Sequence, residues 1–183
     1  MGVKITFRQT VNVLLVISWI IFVGLCVEAA GFLVNAYFAI VNPAFISRLY
    51  RQVDLSDLLK YDQWHFFGIT FIIGVTAIMK AWLFYLILKM LHNKDLNIAQ
   101  PFSKKVQYFI FRISYFTFFI GVLSWYGVNY TSWLIEKGVK MPDSQFMRIG
   151  GADVWLFMAI VLYIIAQIFK RGIEIQSEND LTI

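Results

Sequence analysis

The chain has 183 residues, of which 60% are hydrophobic and 18% aromatic, and it carries a formal net charge of +5. Its mean hydropathy is +0.69, and soluble domains are only about 45–50% apolar, which excludes a water-soluble fold and favours an integral membrane protein. The single cysteine, Cys26, excludes an internal disulfide and a redox-active cysteine pair.

Four long apolar runs follow one another along the chain. Each approaches or exceeds the length of about 20 residues that a helix needs to span a bilayer, and none alternates like a strand. We therefore predict an all-α protein, a four-helix transmembrane bundle that forms one domain over residues 1–183. The predicted helices cover residues 11–41, 64–91, 106–128 and 152–171, and the last extends into an acidic tail over residues 172–183.

The segment between the first two predicted helices, residues 42–63, has an apolar periodicity of its own. Its apolar residues at i, i+3 and i+4 spacing are Phe45, Ile46, Leu49, Tyr50 and Val53. This spacing predicts a short amphipathic helix on the membrane surface, in the first external loop. A compact polar loop is the alternative.

The segment between the second and third predicted helices is basic. The cations in and beside it are Lys89, Lys94, Lys104, Lys105 and Arg112. Cytoplasmic loops carry an excess of lysine and arginine, so we expect this basic connector and both chain ends to lie in the cytoplasm. The connector could in addition attract anionic lipid headgroups.

Two ionisable residues, Glu28 and Lys80, lie deepest in apolar sequence. A charge at that depth is costly unless it is paired or hydrated. Side chains lean towards the N-terminus of their own helix, so these two lean towards each other on antiparallel helices. We predict an ion pair or a water-bridged contact between the first two transmembrane helices. It is either a structural clamp that fixes helix register or a switch that responds to protons or a ligand.

The sequence lacks the motifs of common catalytic sites. His65 and His92 lie at opposite ends of the second predicted helix, and there is no HExxH, phosphate-binding glycine loop or nucleophile elbow. We therefore expect no enzymatic activity, no metal, no cofactor and no direct binding of nucleic acid.

The C-terminal tail combines acidic and apolar side chains. Its candidate docking residues are Glu174, Glu178, Asn179, Asp180, Leu181 and Ile183. An acidic surface with apolar anchors suits a basic cytoplasmic partner. Alternatively, the tail folds back and Glu174 or Glu178 pairs with Lys104 or Lys105 of the basic connector.

Two segments carry a resemblance to a known family. Residues 99–103 read Ala-Gln-Pro-Phe-Ser, and residues 172–183 read Gly-Ile-Glu-Ile-Gln-Ser-Glu-Asn-Asp-Leu-Thr-Ile. They resemble the bacterial membrane family catalogued as domain of unknown function 2975, which has a Pro-Phe step before the third helix and a tail ending Glu-Asn-Asp-Leu-Thr-Val/Ile. Ile175 stands where that family usually has leucine, and residues 99 and 100 are Ala-Gln where it often has glycine and a basic residue.

The family has no established activity, but the resemblance implies a protein of the bacterial cytoplasmic (inner) membrane whose gene often lies beside that of a small helix-turn-helix regulator. Our leading hypothesis is a non-enzymatic regulatory or interaction protein whose partners are the lipid bilayer and such a DNA-binding protein. The alternative is a small transporter, or a lipid- or ligand-binding accessory, that uses the Glu28/Lys80 site.

Overall fold

The computed structural model describes residues 7–42, 53–92 and 103–180. Its helices are α1 (Phe7–Val41), α2 (Ser56–Tyr61), α3 (Gln63–His92), α4 (Lys104–Glu136) and α5 (Ala152–Asp180). All except α2 are long and apolar enough to cross a membrane. The prediction of an all-α fold with four transmembrane helices is confirmed, and the chain is a multi-pass membrane protein.

Helices α1 and α3 form an antiparallel hairpin. Leu33 packs so closely on Gly74 that a methyl group added there would lie 2.9 Å from the Leu33 Cδ2 atom. Nearer the start of α1, the rings of Phe22 and Tyr85 lie 6.4 Å apart. Small side chains at this contact allow the two backbones to approach, as is common between helices in membranes.

Helices α4 and α5 form a second antiparallel hairpin. Gly121 lies against Leu156, whose Cγ atom would be 2.8 Å from an added methyl group. The Ser114 hydroxyl donates to the Ala159 carbonyl oxygen at 2.9 Å. The two hairpins meet where α3 packs antiparallel to α4, with Gly127 in contact with Ile72.

Helix α5 is displaced along the bundle relative to α4. We call the end at which α1 begins and α5 ends the terminal end, and the opposite end the distal end. Because Leu156 is level with Gly121, α5 begins about 16 Å short of the distal end of α4, at 1.5 Å per residue. By the same register, α5 continues about 10 Å beyond Lys104, the first residue of α4.

The space that α5 leaves at the distal end is filled by the segment before it. Residues 137–151 fold back between the helices as a re-entrant connector, in which Met147 and Ile149 are fully buried. They join a core cluster that also includes Leu58 of α2 and Phe32 of α1. The main hydrophobic core of the described residues therefore lies in the distal half of the bundle.

The amphipathic helix predicted in the first external loop is only partly described. Residues 45, 46, 49 and 50 of the predicted amphipathic helix lie outside the described residues, and Val53 packs partly buried on the core cluster. The same loop contains α2, in which Leu58 is buried, as is Leu55 just before the helix. A side-chain oxygen of Asp54 accepts from the Ser56 backbone N–H at 3.0 Å, at the start of α2.

The third transmembrane helix is longer than predicted. The prediction ended it at residue 128 because the following residues are polar, whereas α4 continues to Glu136. The Asn129 amide and the Thr131 hydroxyl donate to carbonyl oxygens one turn back along the helix. Since these polar groups are satisfied by the helix itself, polarity here does not end it.

Candidate functional site

Glu28 and Lys80 lie at the same level of the α1–α3 hairpin, as the register set by Leu33 on Gly74 requires. Glu28 is 13 residues from the distal end of α1, which places it about 20 Å into the bundle. Its side chain is only 8% exposed. Lys80 lines the same cavity as Glu28.

The direct ion-pair partner of Glu28 in the structure is Arg148 of the re-entrant connector. The Arg148 Nε atom lies 3.3 Å from a Glu28 carboxylate oxygen. The Lys80 ammonium donates to the Arg148 backbone carbonyl oxygen at 2.6 Å and lies 5.5 Å from the centre of the Trp155 ring. Arg148 therefore binds both residues of the predicted pair, and a direct bond between Glu28 and Lys80 stays a prediction.

The connector holds Arg148 in an unusual backbone conformation. Its φ angle is +57°, in the left-handed region that residues other than glycine rarely adopt. Backbone hydrogen bonds from Arg148 to Gln145 and from Ile149 to Ser144 close the turn on both sides. Because Met147 and Ile149 are buried on either side of it, the packing of the connector holds Arg148 towards Glu28.

Arg148 is a residue of the site that sequence reasoning missed, because a helix-periodicity argument has no means of bringing a loop residue to the middle of a transmembrane helix. The short apolar run of the fourth helix, preceded by Gly150-Gly151, was the available signal. A span that is too short leaves room for re-entrant backbone, which is tolerated in membranes when protein buries it.

A cavity of about 500 Å³ separates α1 and α3 from the start of α5. Three charged side chains line it, those of Glu28, Lys80 and Arg148. Most of the remaining surface is apolar, including Leu25 of α1 and Trp155 of α5. This size falls within the range of roughly 300–1,000 Å³ that is typical of small-molecule sites.

The predicted basic connector is only partly described. Lys94 lies outside the described residues, whereas Lys104 and Lys105 are exposed at the start of α4. Lys89 and Arg112 are also exposed, and the α3–α4 register places them at a similar level, about 10 Å nearer the middle of the bundle. Their assignment as a cytoplasmic surface stays a prediction, since nothing in the fold fixes the orientation in a membrane.

The candidate docking tail is described as far as Glu178. Glu174 pairs with Arg171 one turn earlier in α5, at 3.0 Å, and Glu178 is exposed. The side chains of Asn179 and Asp180, together with Leu181 and Ile183, lie outside the described residues. The helix therefore presents its acidic residues beyond the first residue of α4. Docking of the tail to a partner and folding of the tail back onto the basic connector both stay predictions.

Among the described residues, no group of three or more histidine, cysteine, aspartate or glutamate side chains could hold a metal ion. In the cavity, the Glu28 carboxylate pairs with the Arg148 guanidinium, and the Lys80 ammonium is bonded to a carbonyl oxygen. The cavity lining offers one carboxylate, one ammonium and one guanidinium group for charge-assisted hydrogen bonds.

The model of the family described as "Protein of unknown function (DUF2975)" matches residues 54–183, and it confirms the resemblance that the sequence indicated. The matched range contains Lys80, Arg148 and the whole of α5, while Glu28 precedes it. No curated protein and no solved structure matches the chain.

Proposed function

We propose, on the premise that the chain belongs to the DUF2975 family of proteins of unknown function, that it is a non-enzymatic regulatory protein of the bacterial cytoplasmic membrane. A ligand in the intramembrane cavity changes the position of α5. The acidic end of α5, in the cytoplasm, then binds or releases a small DNA-binding regulator.

The course of α5 carries this proposal. Gly151 and Trp155 at its beginning line the charged cavity. From there α5 runs for 29 residues to Asp180, a length of about 43 Å. A hydrocarbon core is about 30 Å thick, so one continuous helix joins the cavity to a segment outside the membrane. A shift of its first turn moves its far end as well.

The charges at the terminal end support a cytoplasmic position for that end. Lys104 and Lys105 at the start of α4 and Lys170 and Arg171 of α5 are exposed at one level of the bundle. Such a concentration of cations at helix ends favours the cytoplasmic side. The acidic residues Glu174 and Glu178 follow immediately, so they face soluble partners rather than lipid.

A second function is favoured by the cavity taken alone. Its volume and its three charged groups suit a small transporter, or an accessory protein that binds a ligand or lipid, and neither role needs the acidic tail. The two functions differ in one testable respect. Only the regulatory function requires that a change in the cavity alters the binding of the protein partner to the tail.

The discriminating experiment is capture of a small DNA-binding protein from bacterial cytoplasm, with the full chain as bait. We expect capture by the full chain, loss of capture when residues 176–183 are removed, and a several-fold change with Arg148→Met in the cavity. Lys60→Gln is the matched control for loss of one cation, because Lys60 is exposed at the distal end with 77% of its side chain accessible. A reporter fused after Ile183 checks that the tail is cytoplasmic.

Capture that does not depend on residues 176–183 contradicts the docking role of the tail. Capture that depends on the tail but is the same in the Arg148→Met and Lys60→Gln variants contradicts the link to the cavity. Absence of any DNA-binding protein, together with thermal stabilisation of the purified chain by a small ligand, favours the transporter or accessory function.

A further inference from the structure

The geometry points to an amphiphile with an anionic headgroup and a single apolar chain as the ligand of the cavity. This inference names the ligand class of the site on which the proposed function rests. The headgroup binds beside Lys80 at the first turn of α5, and the apolar chain of the ligand lies along the walls formed by α1 and α3.

The charges of the cavity are unbalanced. Its lining contains the two cations Lys80 and Arg148 and one carboxylate, that of Glu28. The Glu28 carboxylate is bonded to the Arg148 guanidinium. The Lys80 ammonium is bonded to a neutral carbonyl oxygen and lies over an aromatic ring. One positive charge is therefore in excess in a region of low dielectric constant, where an anion is bound much more strongly than in water.

The start of α5 adds a donor at the same place. Gly150 and Gly151 line the cavity, and the first intrahelical bond of α5 runs from the Trp155 N–H to the Gly151 carbonyl oxygen. The Gly151 N–H precedes this bond and lies at the positive end of the helix dipole. Asp153 of the same turn does not line the cavity.

The remaining walls are suited to an apolar chain. Ile21 and Leu25 of α1 and Leu83 and Phe84 of α3 also line the cavity. These residues lie on the terminal side of Glu28 and Lys80 in the antiparallel register. A ligand whose headgroup is at Lys80 therefore extends its chain along these side chains, where burial of each CH₂ group is favourable.

The test uses the purified full-length chain in a non-ionic detergent, with radiolabelled palmitate as the probe. Unlabelled palmitate and monohexadecyl phosphate compete with it, and 1-hexadecanol serves as the neutral analogue of the same chain length. We expect both anions to compete at least about tenfold better than the alcohol, since a charge-assisted hydrogen bond accounts for a factor of that order. The ratio of the two anions identifies a carboxylate or a phosphate headgroup as the preferred one.

The matched variants are Lys80→Met and Lys89→Met, which remove the same charge from the same helix inside and outside the cavity. Palmitate affinity is expected to fall about tenfold or more in Lys80→Met and to be unchanged in Lys89→Met. Lys80→Arg keeps the charge and should retain binding, which shows that a loss in Lys80→Met is not a folding defect.

Equal competition by palmitate and hexadecanol overturns the inference. It means that the hydrocarbon chain of the ligand partitions into the protein–detergent complex and that the headgroup is not recognised. Equal affinity of the Lys80→Met and Lys89→Met variants overturns the inference as well. Both measurements use the isolated chain without a protein partner. Failure of the ligand inference is therefore distinguishable from failure of the regulatory function, which is read from tail-dependent capture.

Discussion

The α1–α3 hairpin and the α4–α5 hairpin each pack a leucine on a glycine, and they differ in how closely the two backbones approach. In the first, a methyl group added at Gly74 would lie 2.9 Å from the Leu33 Cδ2 atom and 3.5 Å from the Leu33 backbone N atom. In the second, Gly121 allows the Leu156 backbone N atom to come within 3.1 Å of where a methyl group would stand. Side-chain packing can adjust to a substitution, whereas contact between backbones cannot.

The charged site lies at the junction of these two hairpins. Glu28 belongs to the first hairpin, and Arg148 belongs to the connector inside the second. Their ion pair is one of several polar bonds between the two units, together with the bond from the Lys80 ammonium to the Arg148 carbonyl oxygen. The side chains of His65 in α3 and Tyr130 in α4 make another, at 2.6 Å. The charged groups at this site therefore connect one hairpin to the other and do not connect the two helices of the same hairpin.

Arg148→Met should have the largest effect on stability, since it leaves the Glu28 carboxylate buried without its guanidinium partner. Breaking a fully buried ion pair costs about 3–5 kcal/mol. The Arg148 side chain is 59% exposed, so we expect a smaller loss of about 2 kcal/mol in the free energy of unfolding. The measurement is unfolding in a titration with a denaturing detergent.

The matched control for this prediction is the double variant Arg148→Met with Glu28→Gln. A neutral amide at residue 28 removes the unpaired buried charge, so the double variant should be more stable than Arg148→Met alone. Equal stability of the single and double variants would show that the ion pair does not join the hairpins.

Gly121→Ala tests the difference between the two hairpins directly. The added methyl group meets the Leu156 Cγ and Cδ2 atoms at 2.8 Å and its backbone N atom at 3.1 Å, so α5 must move away. We expect a loss of about 1.5 kcal/mol, within the range for overpacked cores, read as a lower melting temperature in detergent.

Gly74→Ala is the comparison in the first hairpin, and Gly24→Ala is the control. Rotation of Leu33 can relieve the contact at Gly74, so the loss there should be under about 1 kcal/mol. Nothing lies within 4 Å of a methyl group at Gly24, so no loss is expected. If Gly74→Ala destabilises the protein as much as Gly121→Ala, the proposed difference between the hairpins is wrong.

Ser114→Ala should have the smallest effect. It removes the buried hydrogen bond from Ser114 to the Ala159 carbonyl oxygen, and hydrogen bonds between transmembrane helices contribute about 0.6 kcal/mol on average. Ser132→Ala is the control, because the Ser132 hydroxyl is exposed and bonds only within α4 in the described contacts. A loss above that of Gly121→Ala would mean that polar bonds, rather than close backbone contact, hold α4 to α5.

The sequence determined the transmembrane helices and the two deep charges. Helix number and type follow from local hydropathy, because every backbone group in lipid must be satisfied within its own segment. That the Glu28 and Lys80 side chains lean towards each other is predicted from the direction of side chains on antiparallel helices. Ser103 stands at the N-cap of α4, where its hydroxyl accepts from the Val106 N–H at 3.3 Å.

Only the tertiary structure decided what binds those charges. The partner of Glu28 depends on how residues 137–151 re-enter the bundle, and that path is fixed by the burial of Met147 and Ile149 against distant helices. The end of α4 at Glu136 likewise depends on side-chain hydrogen bonds and on burial of Leu134. Local pattern reports which residues prefer lipid or water, whereas contacts between residues far apart in sequence depend on register and packing, which no local pattern contains.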